Sequence, residues 1–146
     1  MEFYPHNMIE RTLSIIKPDA TVRDISGKIN SKFEEAGLKI IAQKRLLMTD
    51  NQVRAFYKVH SERPFFESLI NFMTSGPVIA QVLEGESAVL KNREVMGATD
   101  PKNAAPGTVR REYALDIERN SVHGSDSLEA AEREVSFFFS QLEIIR

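Results

Sequence analysis

The chain contains no cysteine. Disulfides, thiolate nucleophiles and Cys-ligated zinc or iron–sulfur centres are thereby excluded. That absence fits a reducing cytosol and is tolerated in any compartment. Histidine is scarce: His6, His60 and His123 are the full complement, so an all-His metal site would consume every one. No apolar run approaches the roughly 20 residues of a spanning helix, and the opening MEFYPHN has no basic segment leading into an apolar one. A cytoplasmic location without a membrane partner is the expectation. Charge of one sign is missing too, since 19 Lys+Arg against 21 Asp+Glu leave −2. No global positive field draws such a chain onto nucleic acid or anionic lipid, although a local basic pocket is compatible with the total. Three nucleotide-handling devices are also absent: the GxxxxGK[ST] loop, the GxGxxG turn after a strand and the GxSxG elbow.

What is present is 146 residues, 42% hydrophobic and 27% charged, enough for one domain with a core of useful volume. Met8-Ile9-Glu10-Arg11 is the expected natural start. Residues 1–7 are then a tag remnant or a short native extension, and residues 8–146 a single domain. Residues 12–16 (TLSII) read as a strand stopped by Lys17-Pro18-Asp19, where proline removes a ladder donor. From Ser26, Ile29, Phe33 and Ala36 fall at helical spacing and Gly37 supplies a stop. Residues 38–48 read as a strand, with Thr49 or Asp50 capping the helix that follows. Residues 52–59 and 65–73 predict two helices separated at Arg63-Pro64 and ended by Gly76-Pro77. Residues 78–83 (VIAQVL) have the strongest strand propensity, with Gly85 as terminator, and residues 87–96 predict a short helix. Residues 97–116 carry Gly97, Pro101, Pro106 and Gly107 and read as one long loop, which in a compact domain is usually functional. A brief extended piece at 121–123 leads to a helix with Leu128, Ala131, Val135 and Phe138 on one side. This order predicts an α/β (α+β) sandwich whose antiparallel sheet is covered by helices on one face.

Chemistry concentrates at Asn120-Ser121-Val122-His123-Gly124-Ser125-Asp126-Ser127. A histidine ends an extended segment there, and glycine and three small polar residues open a helix whose first N–H groups and dipole favour an anion. One reading makes Ser125, Asp126 or Ser127 a helix cap and His123 an ordinary turn residue. The other uses Glu134, two helical turns beyond Ser127 on the same face, while Glu129 and Arg133 take the outer face. Helical side chains lean toward the N-terminus. Glu134 could then orient the imidazole and fix its tautomer, making His123 a nucleophile with its orienting base.

The segments Thr12-Leu13-Ser14-Ile15-Ile16-Lys17-Pro18-Asp19-Ala20, Arg63-Pro64-Phe65-Phe66, Ser75-Gly76-Pro77-Val78, Gly97-Ala98-Thr99-Asp100-Pro101, Pro106-Gly107-Thr108-Val109-Arg110 and the 120–127 block occur in one order. With that order and spacing the chain resembles the nucleoside diphosphate kinases over residues 9–139, nearly its whole length. The resemblance implies a ferredoxin-like βαββαβ core. It also implies ping-pong transfer of the γ-phosphoryl group of a nucleoside triphosphate, typically ATP, to nucleoside diphosphates. The intermediate would be a pros-phosphohistidine on His123, with Glu134 holding the other ring nitrogen and Ser125 steadying that carboxylate. Arg93, Thr99 and Arg110 match phosphate ligands. Mg²⁺ would bridge the phosphates without an assigned protein ligand. Lys17 and Asn120 match ligands of the sugar hydroxyl, with Lys17 also near the phosphates, and Tyr57 matches a hydroxyl close to Lys17 and the histidine. Phe65 and Ile117 match the pair that sandwiches the base, and Leu69 is either part of that site or a packing residue. Of Phe65 and Phe66, one is expected in the core. His6 and His60 match no role and are expected at the surface, and Phe137-Phe138-Phe139 in the core or a subunit interface.

Arg111-Glu112 departs from the family, where a small residue and Asp are frequent, and adds charge beside the phosphate loop. The chain ends at Arg146, soon after its last helix, as short bacterial members do; a homo-oligomer is implied, a tetramer first and a hexamer as alternative. Two other classes compete. An RNA-binding module would need sheet-face aromatics and a basic patch, neither of which is present. A catalytically silent homologue kept for assembly is disfavoured by the intact Lys17, Arg93, Arg110, Asn120, His123 and Glu134.

Overall fold

The computed structural model describes residues 8–146; the proposed extension, with His6, lies outside the described residues. The elements are β1 (Ile9–Ile16), α1 (Pro18–Thr21), α2 (Ser26–Glu35), β2 (Lys39–Leu46), α3 (Asp50–Phe56), α4 (Phe66–Met73), β3 (Val78–Glu86), α5 (Ala88–Met96), α6 (Val109–Tyr113), β4 (Val122–Gly124) and α7 (Leu128–Phe138). The strands form one antiparallel sheet in the order β2-β3-β1-β4, the ferredoxin-like arrangement. β1 and β3 lie at its centre.

Local chemistry explains the boundaries. Gly37 takes φ 88° after α2, and the amides of Gly37 and Leu38 close on the carbonyls of Glu34 and Phe33 at 3.0 Å each, the double bond pattern that ends a helix in left-handed glycine. Thr49, rather than Asp50, caps α3: its hydroxyl accepts the Gln52 amide at 3.1 Å and the Gln52 side chain accepts the Thr49 amide at 2.9 Å. Gly85 does not terminate β3. It pairs with Glu10 inside the strand, where a Cβ would lie 3.0 Å from the Gly37 carbonyl oxygen and 3.2 Å from the Leu38 side chain. Its smallness lets the α2–β2 corner press against the sheet.

Helices cover both faces of the sheet, not one. Every residue of β3 from Val78 to Glu84 is buried, the pattern of a strand packed on two sides. Leu13, Ile15, Val78, Ala80 and Val82 face a core with Val53, Leu69, Ile70, Met73 and Phe138 from α3, α4 and α7. Ile16, Ile79 and Leu83 point the opposite way, toward Ala20, Ile29, Phe33, Ala88, Met96 and Val109 of α1, α2, α5 and α6. On α7 the inward face differs from the expected series: Ala130, Ala131 and Phe138 are buried, whereas Leu128 is 57% exposed. Phe138 and Phe139 are core residues and Phe137 is largely outside.

The expected 97–116 loop also contains a helix. α6 is only five residues, VRREY, capped by the Thr108 hydroxyl accepting from the Arg111 amide at 3.3 Å. So short a segment presents no measurable apolar period.

Candidate active site

Sheet register builds this site. His123 pairs with Ile15 and Val122 with Ile16, and directly opposed residues of an antiparallel pair project to the same face. His123 therefore shares the face of Ile15, toward α3 and α7, while Val122 joins the opposite core. Gly124, opposite Ser14, lies beneath α5, where a Cβ would overlap the Asn92 amide and come 2.5 Å from Met96 Sδ. A side chain at 124 would force Asn92, Met96 or the histidine strand to shift.

Glu134 Oε1 lies 2.8 Å from His123 Nε2. The Ser125 hydroxyl donates to the same oxygen at 2.9 Å and accepts from the Leu13 amide at 3.2 Å. Burial pushes the Glu134 carboxyl up, but the hydrogen bonds from His123 and Ser125 and the charges of His123 and Arg133 outweigh it and hold the group below its ordinary range. An ionised carboxylate only accepts. Nε2 must then carry the hydrogen, which leaves the Nδ1 lone pair directed away from Glu134. Tyr57 and Phe56 meet the imidazole edge-on, with ring centroids 5.8 Å and 5.2 Å away, an arrangement that fixes the ring plane. Ser127, not Ser125 or Asp126, caps α7, accepting the Ala130 amide at 3.0 Å.

A cleft of about 580 Å³ opens over this histidine and is lined by Lys17, Tyr57, Arg93, Thr99, Arg110 and Asn120, among others. Lys17 leaves β1 beside β4 and its ammonium donates to Asn120 Oδ1 at 2.8 Å. Burial and the neighbouring Arg110 lower Lys17 to about 8, against a smaller upward pull from Asp19 and Glu118. The Arg110 guanidinium donates to three backbone carbonyls, Gly97 at 2.9 Å, Val122 at 2.8 Å and Asn120 at 3.3 Å. Burial, then the charge of Arg93, lowers it to about 10. Arg93 lines the cleft with an exposed side chain that makes no hydrogen bond or ion pair among the described residues. The Tyr57 hydroxyl is buried without a partner among the described residues; burial first, then the Glu134 charge, pushes it above the usual phenol range. It remains a neutral donor.

The far end of the cleft is apolar. Phe65, just before α4, and Ile117, in the 115–119 turn, are 44% and 61% exposed and line it. Phe66 is the core member of its pair. Leu69 both packs in the core and lines the cleft. The Ser68 hydroxyl donates to Glu118 at 3.0 Å, tying those two walls together.

All twelve residues singled out by sequence are thus at one cleft or in direct contact with its lining. Several lining residues were not foreseen. His60 is not a plain surface residue; it lies at the cleft between Tyr57 and Phe65, with ring centroids 6.2 Å and 5.8 Å away. Arg133 is exposed, as expected, and also lines the cleft beside Glu134. Phe56, Glu118 and Asp126 also border it. The spacing of Phe56 beside Tyr57 was the one available signal; a charged residue such as Arg133 gives none. Arg111 and Glu112, the departure from the family pattern, brace the loop rather than enter the cleft: Arg111 donates to the Ala104 carbonyl at 2.9 Å, and Glu112 pairs with Lys32 of α2 at 2.9 Å.

The family model for nucleoside diphosphate kinase matches residues 10–144. A nucleoside diphosphate kinase of Rhodospirillum centenum is 64% identical over 137 residues, 94% of this chain and 98% of that protein. One from Paracoccus denitrificans is 66% identical, again over 94% of this chain and 98% of that protein. Among solved structures, the Aquifex aeolicus nucleoside diphosphate kinase superposes with a TM-score of 0.92 at 46% identity, over 94% of this chain and 100% of that one. A halophilic nucleoside diphosphate kinase from Halobacterium salinarum in complex with CDP gives 0.91 at 40% identity, over 95% and 93%.

Proposed function

The chain belongs to the nucleoside diphosphate kinase family, and from that premise we propose that it carries the γ-phosphoryl group of a nucleoside triphosphate to a nucleoside diphosphate on His123. The observation that carries this reading is the Glu134–Nε2 contact at 2.8 Å, which leaves Nδ1 as the nucleophile. Its lone pair forms the P–N bond as the bond from γ-phosphorus to the bridging oxygen breaks, and the diphosphate departs with that electron pair. The imidazole gains positive charge, which Glu134 is placed to offset while Ser125 holds the carboxylate. A second diphosphate reverses the step. Phosphoryl transfer of this kind needs alignment and charge compensation more than further covalent chemistry.

Lys17, Arg93, Thr99 and Arg110 are proposed to receive the phosphates, Lys17 and Asn120 the sugar hydroxyl, and Tyr57 to donate near the reacting group. The Halobacterium relative was solved with CDP; by analogy the base would lie between Phe65 and Ile117, with Leu69 beneath. Stacking reads a ring face, so broad base tolerance follows. Mg²⁺ is proposed to arrive on the phosphates, with few protein ligands. When bound it would neutralise phosphate charge. No helix among the described residues is long and apolar enough to cross a membrane, and the cytoplasm is the proposed compartment. We further propose one domain over residues 8–146 and a homo-oligomer, a tetramer in first place and a hexamer in second.

The test incubates the protein with γ-labelled ATP and Mg²⁺. An acid-labile, base-stable phosphate that unlabelled nucleoside diphosphate removes is expected, and absence of label on the wild type overturns the reading. His123→Ala is expected to abolish both labelling and turnover; normal turnover in that variant eliminates the assigned nucleophile.

A further inference from the structure

Ser121 takes φ 74°, in the left-handed region that a side chain normally avoids. The Val122 amide donates to the Asn120 carbonyl at 2.9 Å across it, giving the three-residue turn with positive central φ that is rare and strained. Ser121 is fully buried. The turn separates Asn120, whose amide oxygen receives the Lys17 ammonium, from Val122 and His123. Such strain persists only where the surroundings over-determine the conformation, and here the surroundings are specific.

The buried carboxylate of Asp19 takes the Ser121 amide on Oδ1 at 3.2 Å and the Ser121 hydroxyl on Oδ2 at 2.9 Å. The Lys17 amide donates to the Ser121 carbonyl at 2.8 Å, so the 17–19 segment grips this one residue through its amide, hydroxyl and carbonyl. Arg23 fixes Asp19 in turn, donating to its carbonyl at 2.6 Å and to Oδ2 at 3.2 Å. On the other side Arg110 holds the two flanking carbonyls, Asn120 at 3.3 Å and Val122 at 2.8 Å.

Resting on the proposed nucleophile, we propose that Asp19 is a positioning residue: its carboxylate locks Ser121 in the strained turn and so sets the placement of His123 relative to Lys17 and Asn120. Asp19 lines no part of the cleft and reaches the histidine strand through Ser121. Its contribution is geometric. A displacement of about 1 Å in the reacting group can lower a rate roughly a hundredfold, so a relaxed turn slows phosphorylation of His123 far more than it unfolds the chain.

The test compares Asp19→Asn, Asp19→Glu, Asp19→Ala and Asp19→Ala/Ser121→Gly in single-turnover phosphorylation by ATP and Mg²⁺, per folded molecule as measured by circular dichroism. Asn keeps the shape, accepting from the amide and donating to the hydroxyl, and is expected within about threefold of wild type. Glu keeps the charge but displaces it by a methylene, and is expected at least tenfold slower. Asp19→Ala is expected to be as slow as Glu. Ser121→Gly restores it at least tenfold in the Asp19→Ala background, because glycine adopts positive φ without a side-chain penalty. Equal rates for wild type, Asn and Glu overturn the proposal, as does Glu outrunning Asn, which would make the charge the active property. If Asp19→Ala does not fold, the Asn–Glu order decides. A wild type that takes no phosphate refutes the functional reading instead, a distinguishable failure.

Discussion

Two arginines with the same implied role differ in what they touch. Arg110 spends three donors on backbone carbonyls of Gly97, Asn120 and Val122. Arg93 stands exposed at the same cleft without such bonds. Arg110→Ala should therefore lose transfer and stability together, by about 3 kcal/mol in urea unfolding, because carbonyls in a buried setting lose a charged donor. Arg93→Ala should lose transfer while its urea midpoint stays within the equivalent of about 0.5 kcal/mol. Equal stability losses in the two variants would contradict this division. The family resemblance singled out both arginines, Arg110 within a quoted motif and Arg93 outside any, but nothing in the pattern of residues 106–110 distinguishes a phosphate ligand from a backbone clamp. That difference depends on where the 120–122 carbonyls point. Asp19 was hidden for the same reason: it stood in the sequence as the end of a strand-stopping motif, and only the fold brings it to Ser121.

At the scale of elements, β4 is three residues long and carries His123, and its position depends on how closely α5 packs over Gly124. Gly124→Ala places a methyl against the Asn92 amide and 2.5 Å from Met96 Sδ. Overpacking of this kind costs about 1–3 kcal/mol, and relief by moving β4 would carry His123 away from Glu134. The expected result is a lowered thermal midpoint together with slower His123 labelling; unchanged values for both would show that α5 yields instead. Most elements were legible because their cues are local: Gly37 closes α2, Thr49 opens α3, and the β-branched run of β3 has few alternatives. The misreadings were non-local. Gly85 resembled a stop although it is a contact point for the α2–β2 corner. Burial on both faces of β1 and β3 was concealed because Thr12, Ser14 and Gln81 are polar yet buried. Gln81 satisfies itself against Ser14, Asn30 and Gln43 at 3.2, 2.7 and 2.9 Å, a solution that hydropathy alone does not announce.

For the molecule as a whole, a net charge of −2 offers a nucleotide polyanion no long-range attraction, so its proposed capture rests on the local cluster of Lys17, Arg93, Arg110 and Arg133 at the cleft. Lys17 is the member whose charge is easiest to remove. Burial and Arg110 lower it from 10.5 to about 8, so above pH 8 the folded protein releases a proton that the unfolded chain still holds. Two opposite consequences arise in that window. The burden of a buried ammonium is complete below pH 8 and is relieved as pH rises toward 10.5, so Lys17 makes the unliganded fold progressively less unfavourable there. The same deprotonation removes the charge of a proposed phosphate ligand, so KM for a nucleoside diphosphate should climb between pH 8 and 9.5. Lys17→Met isolates both effects. Relative to that variant, the wild type should gain thermal stability across the window while losing its advantage in KM, and the variant's own KM should start high and stay flatter. A KM that rises equally in both proteins would assign the pH dependence to another group.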